Sequence, residues 1–445
     1  MLKNRPLTSF SHPPGRRCRM VDKGTSRKEW TVMAYMAGDN NLDGAAVEDI
    51  NEMEAAGSSD RINVIVQIDR AADCDSHSDG CGTTRRYYIT RDSDRRRITS
   101  KQLRDLGPTN TGDSRFIEDF VRETVSDYPA KRYMLVLWNH GSGFYVPPEM
   151  LKREAAPSGR ELSFRARPKL RRSFFHATRE KILSLPPSAR GICYDDGSQD
   201  CLDNQELKTV LADLQSFLKG KKVDLVGMDA CLMTMLEVAY QVRDHAAVLV
   251  GSEENEPGEG WPYDRILSGL VANPGMNAAD LGKAIVNRYI ESYRMWGPFY
   301  PNVTQSAIDL SKLTDITLAV DELASALLGK VGKSKTQSAI LRAWRKTPRF
   351  FDNMYIDLFR FAENLEKHTD DAKIGQACTA VKKTLAGKGA ESPIIAERHL
   401  GDEVKDAHGL SIYMPPFKDP SDYYHDLDFS KDTRWDDFLD AYLSR

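Results

Sequence analysis

Two residues whose side chains together support nucleophilic chemistry stand in matching contexts. His140 lies in Asn139-His140-Gly141-Ser142-Gly143, directly after the apolar run YMLVLW at 133–138. Cys231 lies in Asp229-Ala230-Cys231, directly after VDLVGM at 223–228. An imidazole beside a thiol can accept the thiol proton as sulfur attacks a carbonyl carbon, and can then protonate a leaving amine. A cysteine at a strand-to-helix turn also feels the positive end of the helix, which favours thiolate. Gly141 and the amide of Cys231 are candidate donors to a developing oxyanion, because a glycine lets backbone approach a substrate closely. Spacing alone equally admits a plainer reading, with Cys231 a small buried hydrophobe and His140 a structural histidine.

The surrounding elements decide whether these two residues can meet. Strand-like runs stand at 31–36 (TVMAYM), 64–68 (VIVQI), 85–90 (RRYYIT), 133–138, 223–228 and 247–251 (AVLVG). Between them lie helical patterns: Leu42, Ala46, Ile50 and Met53; Phe116, Ile117, Phe120, Val121 and Thr124 behind a cap at Asp113 or Ser114; Leu207, Val210, Leu211, Leu214 and Leu218; Leu232, Met235, Leu236 and Ala239. These apolar residues recur every three or four positions, the period of one helix face. Strands alternating with helices predict an α/β fold, a parallel sheet with helices on both faces. In such sheets ligands gather beyond the carboxyl ends of the strands. If the strands at 133–138 and 223–228 are neighbours, imidazole and thiol face one cleft.

Three stretches are expected to be organised differently. Residues 1–28 carry Lys3, Arg5, Arg16, Arg17, Arg19, Lys23, Arg27 and Lys28 against one acid, Asp22. They lack the apolar centre of a signal peptide and read as a disordered basic tail. That predicts a cytoplasmic location, with secretion by another route as the alternative. Residues 144–190 form a basic, proline-containing insertion in the α/β unit over 29–270. Residues 271–445 are helix-rich, with amphipathic runs at 278–295 and 311–329 and a strand GLSIYM at 409–414. This half either adds edge strands to the sheet or forms a subdomain packed on it.

Composition removes several function classes. Lys+Arg 62 against Asp+Glu 65 gives a net charge of −3, without the basic surplus of a dedicated nucleic-acid binder. No apolar run approaches the ~20 residues of a membrane span. Seven cysteines is an odd number, so at least one is unpaired within the chain and a disulfide scaffold is excluded. The sequence sets no oligomeric state.

Five segments in order sharpen the reading: YMAGDNNLD at 35–43, LWNHGSG at 137–143, DLVGMDACLMTMLEVAY at 224–240, SEENEPGEGWPY at 252–263 and HGLSIYMP at 408–415. Together they resemble the clostripain family of cysteine peptidases. The resemblance runs from Trp30 onward and leaves out residues 1–28 and the insertion near 144–190. It implies a caspase-like three-layer α/β/α sandwich around a mainly parallel sheet, with a helix-rich C-terminal extension. It implies a His/Cys dyad in which His140 is the base and Cys231 the nucleophile of an endopeptidase acting on protein or peptide substrates. Members cleave after Arg, sometimes Lys. Asp229 matches the acidic position of their first specificity pocket, where a carboxylate would pair with a basic side chain. Glu259 stands where Arg- or Lys-directed members carry an acid, although that position varies. Asp229 reads equally as a helix cap, and Glu259 as a solvated loop charge. Members are made as one chain and cut between histidine and cysteine. The Arg/Lys-rich segment 152–190 lies in that interval, so self-cleavage after Arg171 or Arg172 is expected. No metal is assigned to the chemistry and no cofactor is required; calcium, used by some members, is the one ion the resemblance admits. Two rival readings stand beside this one: a catalytically silent, peptide-binding member, and a cysteine hydrolase of a non-peptide amide or ester.

Other candidates read as structural. Cys378 follows Gln376-Ala377 in a helical run and is expected in a core. Asp73, Asp75 and Asp79 with Gly80 hint at a calcium loop, but its twelfth position is Thr84 where a Glu is required. Cys74 and Cys81 flank that loop; an ordinary polar loop is preferred to a pairing or metal role. Asp39, Asn40, Asn41 and Asp43 follow the first strand and could shape the cleft, bind calcium or cap a helix. Trp261 and Tyr263 either line the cleft or pack behind it. His176 and His245 lack a strand-end context.

Overall fold

The computed structural model describes residues 27–74, 80–144, 191–295, 302–350, 353–386, 391–415 and 423–444. Most of the N-terminal tail and of the basic insertion, with Arg171, Arg172 and His176, lies outside them.

A nine-stranded sheet runs through the molecule in the order β13-β10-β9-β8-β5-β1-β2-β3-β4. Its strands are β1 (Lys28–Gly38), β2 (Ile62–Arg70), β3 (Thr84–Tyr88), β4 (Lys101–Gly107), β5 (Ala130–Trp138), β8 (Val223–Asp229), β9 (Ala246–Gly251), β10 (Val303–Asp309) and β13 (Ile394–Leu400). The five central strands β2, β1, β5, β8 and β9 pair in parallel, and the two strands at each edge are antiparallel. A hairpin of β6 (Ile192–Asp195) and β7 (Asp200–Leu202) lies apart, as does a small sheet of β11 (Arg349–Phe350), β12 (Tyr355–Asp357) and β14 (Ser411–Tyr413). The strand expected at 409–414 thus belongs to the small sheet, while β10 and β13 carry the C-terminal half into the main one.

Central strands are buried on both faces, which is why 31–36 and 133–138 read as apolar without alternation. Helices α1 (Asp43–Ala56), α5 (Tyr263–Ala272) and α6 (Ala278–Arg294) cover one face, packing Ile50, Ile266 and Ile285 onto Val32, Ala34 and Val136. Helices α2 (Ser114–Asp127), α3 (Asn204–Phe217), α4 (Leu236–Val242) and α7 (Leu313–Leu328) cover the other. There Phe120, Leu211 and Leu323 join Leu135 and Val226 in one core. The result is a three-layer α/β/α sandwich. Helices α8 (Ser334–Lys346), α9 (Leu358–His368) and α10 (Ala372–Ala386) extend the second layer.

Local sequence sets the elements that matter for the site. Asp113 caps α2, accepting from the Arg115 amide at 3.0 Å, and α2 buries Ile117, Phe120, Val121 and Thr124 at helical spacing. The first turn of α1 is clasped by a buried ion pair, with Arg70 Nε and Nη2 donating to the Asp43 carboxylate at 2.5 and 2.8 Å. That pair ties the chain after β1 to the end of β2.

Candidate active site

The parallel pairing of β5 with β8 sets Trp138 opposite Asp229, and these are the last residues of their strands. His140 therefore overhangs β5 by two residues, and Cys231 overhangs the neighbouring β8 by the same two. The Asn139 amide donates to the Asp229 carbonyl at 3.3 Å, so the two loops leave the sheet together. They stay in contact one residue further on. A β-carbon on Gly141 would run into the Cys231 carbonyl oxygen and come within 3.0 Å of Ala230 Cβ and Met233 Cγ. Glycine is needed here for close approach. Leu42, Trp138, Asn139, His140, Asp229, Ala230, Cys231, Glu256, Pro257, Gly258 and Gly260 line one cleft.

Both loops are braced from several sides. Asn139 donates through Nδ2 to the carbonyls of Ala37 and Tyr194 and accepts the Tyr194 amide at 2.8 Å. Ser142 Oγ meets Tyr194 Oη at 2.7 Å, and Tyr355 Oη of the small sheet donates to the Ser142 carbonyl at 2.7 Å. The β6–β7 hairpin and the C-terminal half thus hold the His140 loop. Asn40 donates to the carbonyls of Ala37 and Tyr194, each at 2.9 Å, and its Oδ1 accepts the Leu42 amide at 2.9 Å. On this fixed turn Asn41 points its Oδ1 at His140 Nε2, 2.9 Å away.

The surroundings of the thiol differ from those expected. Helix α4 begins only at Leu236, with Met235 at its N-cap, so Cys231 does not sit at a helix start and gains no thiolate stabilisation from one. Asp229 accordingly caps no helix. The chain after Cys231 instead turns through Leu232 in the left-handed region (φ 67°), a conformation that costs a leucine about 1–3 kcal/mol. The Leu232 amide donates to the Glu254 carbonyl at 3.3 Å and the Thr234 amide to the Ser252 carbonyl at 3.0 Å, which hold the turn. Cys231 is 8% exposed. Its Sγ accepts the Glu256 amide at 3.2 Å and lies 3.8 Å from the Glu256 carbonyl oxygen. Burial pushes the thiol up to about 12, so the resting sulfur is protonated.

The cleft floor is acidic. Asp229 is 4% exposed, and its Oδ2 accepts Tyr263 Oη at 2.7 Å and the Trp261 amide at 3.3 Å. Glu256, 5% exposed, lies beside Asp229, and both of its carboxyl oxygens are buried without a hydrogen-bond partner. Burial, and then the Asp229 charge, hold Glu256 far above the ordinary carboxyl range; burial also raises Asp229. A third carboxyl, Asp49 of α1, accepts Trp138 Nε1 at 2.6 Å. It lies so close that a β-carbon on Gly260 would meet Asp229 oxygens at 3.2 Å and an Asp49 oxygen at 3.4 Å. Among the described residues no Lys or Arg pairs with any of these three carboxyls.

Glu259 is half-buried and not among the cleft-lining residues; the acid of SEENEPGEGWPY that lines the cleft is Glu256. Sequence reading missed Glu256, and nothing in the apolar period of α1 signals Asp49. Trp261 and Tyr263 lie behind the floor, Trp261 against Gly227 and Tyr263 on Asp229. Cys378 is buried among the C-terminal helices. His245 Nδ1 meets Gln215 Oε1 at 2.8 Å on the surface layer. Cys74 and Cys81, expected to belong to an ordinary polar loop, are joined in a disulfide. Asp75 and Asp79 lie outside the described residues. A separate group of carboxylates, Asp39, Asp69 and Asp195, brings oxygens within 4.8 Å of one another beside the ends of β1 and β2.

The model of the clostripain family of peptidases matches residues 34–155 and 178–442. The chain belongs to the clostripain family. The interruption at 156–177 falls inside the basic insertion. Clostripain of Hathewaya histolytica is 28% identical over 348 residues, covering 69% of this chain. The chain spans 58% of the length of that curated relative. Three solved clostripain-type structures share the fold. A secreted C11 cysteine protease from Bacteroides thetaiotaomicron, "iotapain", has a TM-score of 0.62 at 16% identity, covering 92% of this chain and 100% of its own. A secreted C11 cysteine protease from that organism bound to an irreversible peptide inhibitor has a TM-score of 0.59 at 18% identity, covering 93% and 99%. An inactive zymogen C11 protease from Parabacteroides distasonis has a TM-score of 0.56 at 18% identity, covering 92% and 99%. Among the described residues no helix is long and apolar enough to cross a membrane.

Proposed function

We propose that the chain is a cysteine endopeptidase that cleaves after Arg, and also Lys, through a His140/Cys231 dyad. One observation carries the reading. His140 and Cys231 overhang adjacent, registered strands by equal steps, over a cleft floored by the buried carboxyls of Asp229 and Glu256. Membership of the clostripain family supports the same chemistry. A guanidinium entering the cleft meets two carboxyls that lack a cation, the arrangement that favours a bidentate, charge-assisted contact. Glu259, expected to share this role with Asp229, does not line the cleft, and Glu256 takes that role in this reading.

The steps follow from the resting state. The thiol is neutral, so His140 takes the Cys231 proton as Sγ attacks the scissile carbonyl carbon. The oxyanion of the tetrahedral intermediate is held by the backbone amides of Gly141 and Cys231. His140 then protonates the leaving amine and a thioester remains. Water, deprotonated by His140, attacks the thioester carbon, and the acid product leaves with the thiol restored.

Self-processing extends the reading. The basic segment 152–190, which interrupts the family match at 156–177, offers Arg171 and Arg172 between His140 and Cys231 in sequence. Among the described residues calcium fits one place. Asp39, Asp69 and Asp195 offer hard oxygen donors, and burial with mutual repulsion raises Asp39 to about 6 and Asp69 to about 7. A divalent cation there would offset two of the three carboxylate charges and stiffen the turn carrying Asn41. The Cys74–Cys81 bond fits an oxidising compartment, which favours export over the cytoplasm.

The test is initial hydrolysis of fluorogenic peptides ending in Arg, Lys, Asp and Ala by wild type and Cys231→Ala, with the intact mass of each chain followed over the incubation. The reading expects turnover of the Arg and Lys peptides, and cuts within 152–190, in wild type alone. A wild type already cut within 152–190 that turns over none of the four would overturn the basic specificity. An intact, inert wild type would favour the silent, peptide-binding alternative.

A further inference from the structure

We infer that Asn41 is the positioning residue of this dyad: its side-chain oxygen accepts a hydrogen bond from His140 Nε2 and so leaves Nδ1 to take the proton from sulfur. The inference rests on the dyad proposed above. The contact is 2.9 Å long and joins the turn after β1 to the loop after β5, two adjacent central strands. An amide oxygen only accepts, so a ring nitrogen facing it carries the proton. With Nε2 protonated, the lone pair of the neutral ring is on Nδ1, and the ring plane is fixed by the same bond. A histidine without such a partner divides between tautomers and orientations, and each wrong one is inactive.

The turn is built to hold that oxygen still. Asn40, buried beside it, makes three hydrogen bonds: to the carbonyls of Ala37 and Tyr194 and from the Leu42 amide. Asp43 on the other side is clasped by Arg70 and also accepts the Ala71 amide at 3.2 Å. Leu42 lines the cleft with His140. Asn41 thus stands between two fixed neighbours at the edge of the cleft. The titratable groups around the imidazole are Cys231, Asp229 and Glu256 across the cleft and Asp39 and Asp43 on the turn itself. None of these supplies the 2.9 Å acceptor.

The proposal predicts opposite effects from two substitutions. Asn41→Ala removes the acceptor. kcat on an Arg peptide then falls ~10–100-fold with KM within about twofold, and the acid limb of the pH profile, set by the imidazole, moves down. Asn41→Asp puts a carboxylate against Nε2–H, which stabilises the imidazolium and moves that limb up by about one unit. A merely structural role for Asn41 would move both limbs alike or not at all. The experiment measures kcat and KM from acid to neutral pH for wild type and both variants, beside Cys231→Ala, with circular dichroism as the check on folding. Opposite limb shifts with a kcat-dominated loss bear the proposal out. Limbs unmoved in both variants while Cys231→Ala is dead overturn it and leave the dyad standing. If Asn41→Ala does not fold, the Asn41→Asp limb decides by itself. Activity surviving in Cys231→Ala would instead overturn the dyad.

Discussion

At the scale of single residues, the chemistry is set by what each side chain is denied. Cys231 is denied water, so its proton stays until a base removes it. Asp229 and Glu256 are denied a resident cation, so burial raises both carboxyls and a cation entering the cleft would stabilise their charged forms. Asp229→Asn is therefore expected to lower kcat/KM for Arg peptides by ~100-fold, about 2.7 kcal/mol, measured from initial rates. A loss below threefold would contradict its place on the cleft floor. That His140, Cys231 and Asp229 come to one cleft was legible because each stands within three residues after an apolar run, a position that chain order alone reveals. Glu256 was not, because the choice among four acids in one twelve-residue segment depends on how the loop after β9 folds over the thiol. Asp49 was hidden more deeply: its carboxyl reaches the floor from a helix on the other side of Trp138.

At the scale of elements, the site depends on turns that local pattern does not announce. Apolar spacing around Leu232, Met235, Leu236 and Ala239 predicts a helix starting at the cysteine. The backbone instead uses residues 232–235 to reach Ser252 and Ser411, and the helix starts afterwards. Long-range hydrogen bonds there outweigh a period that reads as helical. The turn at 39–42 has the same character, since its order comes from Tyr194 and Arg70, both remote in sequence. Arg70 is the weak point of that arrangement. Arg70→Met leaves the buried Asp43 carboxylate without its partner, and unfolding by denaturant is expected to show a loss of about 3–5 kcal/mol. A change under 1 kcal/mol would mean that the clasp contributes nothing to the fold.

At the scale of the whole molecule, the C-terminal half completes the α/β unit. It adds two strands to the sheet, braces Ser142 through Tyr355, and joins the loop after β9 through a buried carboxyl pair. In that pair the Gly409 amide donates to Glu253 at 2.8 Å and the His408 amide to Asp357 at 2.5 Å, while Glu253 Oε1 is buried without a hydrogen-bond partner. Burial raises both carboxyls above their unfolded values, so the folded chain holds a proton that the unfolded chain releases. Stability from this pair is complete below the ordinary carboxyl range and is lost as pH rises through the raised folded values. Thermal unfolding should thus show a melting temperature that falls from pH 5 to pH 8, with a flatter profile for Glu253→Gln; an unchanged slope in that variant would count against a raised Glu253. The parallel centre of the sheet was readable from alternating elements, but the antiparallel edges were not, because β10 and β13 follow long helical stretches. The central claim, that Cys231 is the nucleophile of an Arg-directed site, is tested most directly by covalent labelling. A thiol-reactive, Arg-bearing peptide probe is incubated with chain cut within 152–190, the His140→Ala chain being cut in trans by wild type that is then removed, and the adduct is located by mass spectrometry. The account predicts one adduct, on Cys231, that is competed by an Arg peptide and absent in His140→Ala. An adduct on Cys193, Cys201 or Cys378 in place of Cys231, or labelling indifferent to the basic side chain, would contradict it.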